Sequence, residues 1–209
     1  MKISRSHLRR LILEELLLEQ EESDGKVFFG WKDALPGIGD RHPIKHAFIR
    51  LERYGPLPEW WPFQKHIVSL SGFSKNWDKL DLTVNPFKGD YDIDISSLDD
   101  ILMYQWGRLV KAVNWGQDMK GKESGDVELT IPGGMSIDGI QKRIIKAYNA
   151  YGENIPYSPL PGKANDKSTR NSNSFAFSLL RAGFLESWRQ AITSAGVNIK
   201  AFAGFNKLV

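Results

Sequence analysis

The chain has 209 residues, 41% of them hydrophobic and 25% charged, the balance of a globular protein long enough to bury its own core. A net charge of +3, with Lys and Arg scattered beyond residue 10, is not the footprint of a dedicated nucleic-acid binder. The absence of cysteine excludes disulfides, thiolate-ligated zinc and a thiol nucleophile, and no run approaches the roughly 18 apolar residues of a membrane span.

Residues 3–22 read as a helix with a broad apolar side of Leu8, Leu11, Ile12, Leu16 and Leu18. Its basic residues (Lys2, Arg5, Arg9, Arg10) come first and its acidic ones (Glu14, Glu15, Glu19, Glu21, Glu22) follow. That order opposes the helix dipole, so the helix calls for a partner surface. It docks either on its own domain or, as a detachable segment over residues 1–24, on a partner protein. Glu14 and Glu15 interrupt the apolar run and no small-residue cleavage site follows, so no secretory signal is expected and the location reads as cytoplasmic or virion-associated.

Residues 27–41 are glycine-rich with Pro36 and read as irregular. Residues 44–54 predict a strand, with Ile44, His46, Phe48 and Arg50 on one face and Ala47, Ile49 and Leu51 on the other. The proline-rich stretch 55–62 predicts a rigid loop, and residues 63–70 a second strand carrying His66, Val68 and Leu70 on one face, paired with the first as a hairpin. Residues 73–95 read as a polar insertion with short strands, 97–115 as a helix, and 126–131 as a strand stopped by Pro132-Gly133-Gly134. Ser136 caps a predicted helix to about Tyr151, with Ile140, Ile144, Ile145 and Tyr148 as its apolar positions. After a loop over 152–170, a last helix runs from Ser172 to about Ser187, and the tail from Gly196 adds a strand or lies on the surface.

The start of that last helix is the chemically suggestive place. A helix N-terminus presents unpaired N–H groups and partial positive charge. A nucleophile there gains activation and a nearby place for an oxyanion. Ser172 stands there; His46 on a strand is the candidate general base, and His66 on the next strand the group that fixes its tautomer. Taken alone the pattern is weak: serine at a helix start is more often a cap, and a lone strand histidine more often structural.

His46-Ala47-Phe48-Ile49-Arg50-Leu51 resembles the histidine strand of the circularly permuted papain-like families, which include the NlpC-type and lecithin:retinol acyltransferase-like proteins. Lys65-His66-Ile67-Val68-Ser69-Leu70 resembles their second polar strand. Asn171-Ser172-Asn173-Ser174-Phe175 is similar to their Asn-Cys-x-x-Phe motif, with serine in the nucleophile's place. The helix end at Tyr148-x-x-Tyr151 and the Pro156-Tyr157-Ser158 loop also fit, and an uncharacterised bacterial family carries a similar Asn-Ser-Asn-Thr-Phe segment. The resemblance covers about residues 44–72 and 136–187. It implies an α+β fold, a small antiparallel sheet packed by helices over residues 25–209, with an insertion at about 73–130. It also implies a hydrolase or acyltransferase of amide or ester bonds that needs no cofactor, with a cell wall or a host as its expected target. Ser172, His46 and His66 are its site, Asn171 and Asn173 its supporting residues, and a peptide, peptidoglycan or lipid ester its substrate. A serine hydroxyl cannot form the thiolate–imidazolium pair of a papain-like cysteine, so an inactive module that binds through the same cleft is the competing reading.

A third reading comes from the N-terminal segment, which is similar to short helices of phage-related proteins; Ile12-x-Glu14 and Leu17-x-Glu19 match the hydrophobic-x-Glu rule of T-even head-targeting peptides. It implies a packaged or structural virion protein. Asp90, Asp92, Asp94, Asp99 and Asp100 lack the glycine and final glutamate of a calcium loop, and alternate with Ile93 and Ile95 as a solvated strand would. Trp60, Trp61, Trp77, Trp106 and Trp115 default to packing. His42 stands apart from His46 across Pro43, and no metal set is evident.

Overall fold

The computed structural model describes residues 25–33, 45–75, 108–114, 125–152, 155–157, 170–199 and 202; the predicted helix at 3–22 and the aspartates at 90–100 lie outside them. Five strands form one antiparallel sheet: β1 (Gly25–Asp33), β2 (Lys45–Arg53), β3 (Ile67–Ser74), β4 (Leu109–Val113) and β5 (Gly125–Glu128). They lie in the order β4-β3-β2-β1-β5. The helices are α1 (Ile137–Ala150), α2 (Ser172–Phe184) and α3 (Trp188–Ser194), with a 3-10 turn at Leu185–Ser187. The class is α+β, an antiparallel sheet packed by helices.

The core lies between the sheet and α1 and α2. Register brings Val27 opposite Leu51, Phe29 opposite Ile49, Ile49 opposite Leu70 and Leu51 opposite Val68. These side chains share one buried cluster with Ile140 and Ile144 of α1 and Phe175 and Leu179 of α2. The period of two in β2 therefore puts Ala47, Ile49 and Leu51 toward the helices, and His46, Phe48 and Arg50 on the opposite face. Gly183 lets α1 and α2 approach closely: a Cβ there would lie 2.6 Å from Ile144.

Several elements differ from the sequence reading. Residues 25–33, which overlap the stretch 27–41 read as irregular, form the strand between β2 and β5. Its glycines are not turn signals but points of close approach: a Cβ on Gly30 would sit 2.2 Å from the Phe48 ring. The second hairpin strand runs Ile67–Ser74 rather than 63–70. The loop before it is prolonged by Trp61, whose indole N–H donates to the Lys65 carbonyl at 3.0 Å. Leu109–Val113, expected to be helical, is a strand paired with β3; tertiary pairing overrides the local pattern of a short apolar run. Since β4 and β5 are the two edges of the sheet, the stretch read as an insertion contributes to the sheet itself. The last long helix stops at Phe184, where Leu185 takes a φ of 51°, and a separate short helix follows. In the tail, Phe202 is buried and packs edge-on against Phe29 at 5.2 Å.

Candidate functional site

The first turn of α2 is polar and buried. Asn171, Ser172, Asn173 and Ser174 are all at most 4% exposed, a setting in which each polar group needs a partner. Asn171 is the N-cap: its side-chain oxygen accepts from the Ser174 N–H at 2.9 Å. The Ser174 hydroxyl oxygen accepts from the Asn171 N–H at 2.9 Å in return, a reciprocal capping box. Ser174 also donates to the Asn171 carbonyl at 2.9 Å.

Asn173 reaches out of the helix. Its Oδ1 accepts the Ala47 N–H at 2.9 Å, a buried bond between helix and strand. The β2–β3 ladder runs from Glu52↔Ile67 to Ile49↔Leu70, whereas β3 stays paired with β4 out to Ser74. Thus α2 meets β2 just beyond the paired stretch, and the carboxamide serves a strand N–H there. Phe175, one turn inside, fills the space over Gly72, where a Cβ would lie 3.0 Å from the ring. The residue after Ser172 is thereby hydrogen-bonded to the residue after His46, while the alternation of β2 turns the His46 side chain to the sheet face away from α2.

Ser172 has a partner that the sequence reading did not assign. The phenol of Tyr157 is hydrogen-bonded to both the backbone and the side chain of Ser172. Burial pushes the phenol up to about 12, and the contacts with Ser172 pull it partly back. Tyr157 is held by short pairings on both sides. The Leu109 N–H donates to the Ile155 carbonyl at 2.8 Å and the Arg170 N–H to the Pro156 carbonyl at 3.0 Å. Isolated bridges join Arg108 with Pro156 and Tyr157 with Arg170. The signal in the sequence was a tyrosine beside a proline in the loop leading to a polar helix start, noted only as part of a resemblance.

His66 does not join the others. It precedes β3, is exposed, and accepts through its carbonyl from the Arg53 N–H at 2.8 Å. Arg53 lies seven residues along β2 from His46, roughly 23 Å at ~3.3 Å per residue. His66 therefore cannot orient the His46 imidazole; the placement fails because β3 starts later than its sequence suggests. Continuing the register instead brings Phe73 level with His46 and Ser71 level with Phe48. Ser71 is fully buried, and its hydroxyl has no hydrogen-bond partner among the described residues. Serines at 69, 71 and 74 are buried along this strand, which continues past residue 70 where the sequence reading ended it.

Trp60 and Trp61 pack edge-on with centroids 6.0 Å apart, far along β2 from Ser172. His42, Trp77, Trp106 and Trp115 lie outside the described residues. Among the described residues no group of three or more His, Asp or Glu side chains is placed to hold a metal ion, and no helix is long and apolar enough to cross a membrane. Comparison of the chain with protein-family models, with curated proteins and with solved structures finds no match.

Proposed function

We propose that the protein is a hydrolase or acyltransferase of amide or ester bonds on a permuted papain-like scaffold, with Ser172 as nucleophile and His46 as general base. The observation that carries this reading is the 2.9 Å bond from the Ala47 N–H to Asn173, which fixes the start of α2 against the strand position next to His46. Ser172 Oγ attacks the substrate carbonyl carbon while His46 accepts the hydroxyl proton. The resulting oxyanion lies at the N-terminal N–H groups of α2. Collapse expels the amine or alcohol, which takes the proton from His46 and leaves an acyl ester on Ser172. Water or a second acceptor then repeats the sequence in reverse. Asn173 holds the geometry, and Asn171 keeps the cap closed.

A fluorophosphonate probe tests this without knowledge of the substrate. The wild-type protein should gain one adduct by intact mass, mapped to Ser172, and Ser172→Ala and His46→Ala should each lose it while keeping the wild-type melting curve. A folded protein that takes up no adduct would hand the argument to the second reading, a non-catalytic binding module. Two observations favour that alternative: the alternation of β2 turns His46 to the face away from α2, and the Tyr157 phenol lies buried against Ser172.

A further inference from the structure

We infer that Lys45, seated on the rings of Trp31 and Phe202, binds a carboxylate carried by the acyl chain of the substrate. The inference rests on the Ser172 reading and names the substrate class of that site: acyl groups with a free acid at their far end.

Three residues meet at Ala47. Its N–H donates to Asn173 Oδ1 at 2.9 Å, which sets the first turn of α2 against β2. Trp31 of β1 is its partner directly across the ladder, so the Trp31 side chain stands on the same face of the sheet. Lys45 lies two residues back along β2. The period of two puts it on that face as well, roughly 6.6 Å from Ala47 at ~3.3 Å per residue. Lys45 is therefore the side chain of β2 next beyond the contact with α2, on the side of the sheet against which the head of that helix packs.

The ammonium has a fixed seat. Lys45 Nζ lies 5.7 Å from the Trp31 ring centroid and 5.9 Å from that of Phe202, within cation–π range of both. The two rings pack edge-on at 6.3 Å, and Phe202 is itself held edge-on against the core residue Phe29 at 5.2 Å. Lys26, Arg50 and Arg53 of the same two strands each have a carboxylate partner. Among the described residues no carboxylate forms an ion pair with Lys45. Lys45 and Trp31 are both half-buried, so the rings take the place of water around part of the ammonium, and an incoming anion is attracted more strongly than by a fully solvated lysine. The step from Ala47 to Lys45 is the length of a short acyl chain. A dicarboxylic monoester can thus set its ester at Ser172 and its free carboxylate at Lys45.

A matched pair of chromogenic esters tests this: the mono-para-nitrophenyl ester of pimelate, with a free carboxylate, and para-nitrophenyl heptanoate, the same chain ending in a methyl group. Wild type should cleave the pimelate ester with a kcat/KM about tenfold above that of the heptanoate ester, the gain of one charge-assisted contact. Lys45→Met should remove the preference by slowing the pimelate ester alone, a split that a merely structural lysine would not produce. Lys45→Arg should keep part of it, and Lys45→Gln serves if the methionine variant folds poorly. Ser172→Ala should cleave neither ester. Turnover of both esters without preference in wild type, or a preference that survives the loss of the Lys45 charge, overturns the subsite and leaves the Ser172 reading standing. A folded wild type that cleaves neither ester, or turnover that persists in Ser172→Ala, overturns the Ser172 reading and the subsite with it.

Discussion

At Ala47, β2 is tied to α2 by a carboxamide, Asn173, at 2.9 Å. At Arg53, the other end of the same strand is tied to α1 by a carboxylate, Asp138, at 2.5 Å. The second tie is ionic and well braced. The buried Arg53 guanidinium also donates to Gln141 at 3.3 Å and stacks 5.2 Å from the Trp60 ring, which Lys142 approaches to 5.0 Å. Gln141 in turn donates to the carbonyls of Lys26 and Glu52 at 3.0 and 2.9 Å, so one helix residue clamps two strands. The first tie is neutral, and the polar groups around it are satisfied by short-range bonds within one helical turn. An ion pair with one partner buried, as Arg53 is, repays its desolvation only with such bracing. A neutral carboxamide costs less to bury and leaves room for a hydroxyl beside it. The end of β2 that meets the head of α2 is thus tied to its helix by a neutral bond.

Four perturbations break or sharpen this contrast. The largest is alkaline. Because the Tyr157 phenol is raised to about 12, above the ordinary value near 10, the folded state holds its proton more tightly than the unfolded state. Its contribution is fully present below pH ~10 and is lost as pH rises toward ~12, about 2–3 kcal/mol in all. Chemical denaturation across that range should show the decline in wild type and a smaller one in Tyr157→Phe. Next, Asn173→Ala strands the buried Ala47 N–H and should cost about 2 kcal/mol. The same variant should lose fluorophosphonate labelling while still folded, whereas a purely structural site end would lose stability alone. Third, Asp138→Asn at the ionic end should cost about 1 kcal/mol, since Asp138 is 38% exposed and the remaining amide still accepts from Arg53. Labelling of Ser172 should not change, and a change would show that the two ends of β2 are coupled. The smallest effect belongs to the exposed Lys26–Glu128 pair at 2.8 Å: Glu128→Gln should leave the melting temperature where it is in ordinary salt.

How legible each part was follows from physical reach. The helix from Ser136 was readable because its signals are local: the Ser136 side chain accepts from the Gly139 N–H at 3.1 Å, and the isoleucines repeat on one face. The start of α2 at Ser172 was readable for the same reason, since Asn171 and Ser174 form a contiguous capping box. His46 and its face of β2 followed from simple alternation. By contrast, β1 was misread because Gly25 and Gly30 signal a loop locally, and only the Glu52 carbonyl and the Phe48 ring across the sheet explain them. His66 was misplaced because a strand's starting residue depends on what its partner pairs with; here Glu52 pairs with Ile67. Tyr157 was invisible as a site residue because fourteen residues of chain separate it from Ser172, and the pairing of Tyr157 with Arg170 is what brings the two together.

What the sequence determined by itself was the class of the fold, the helices capped at Ser136 and Asn171, and a polar helix start with serine in its first position. Those follow from periodicity and capping, which act over one or two turns of chain. The tertiary structure decided the sheet order, the register that sends His66 to the far end of β2, and the meeting of Asn173 with Ala47 and of Tyr157 with Ser172. Such contacts join residues far apart in the chain, whose encounter is set by how a whole buried face packs.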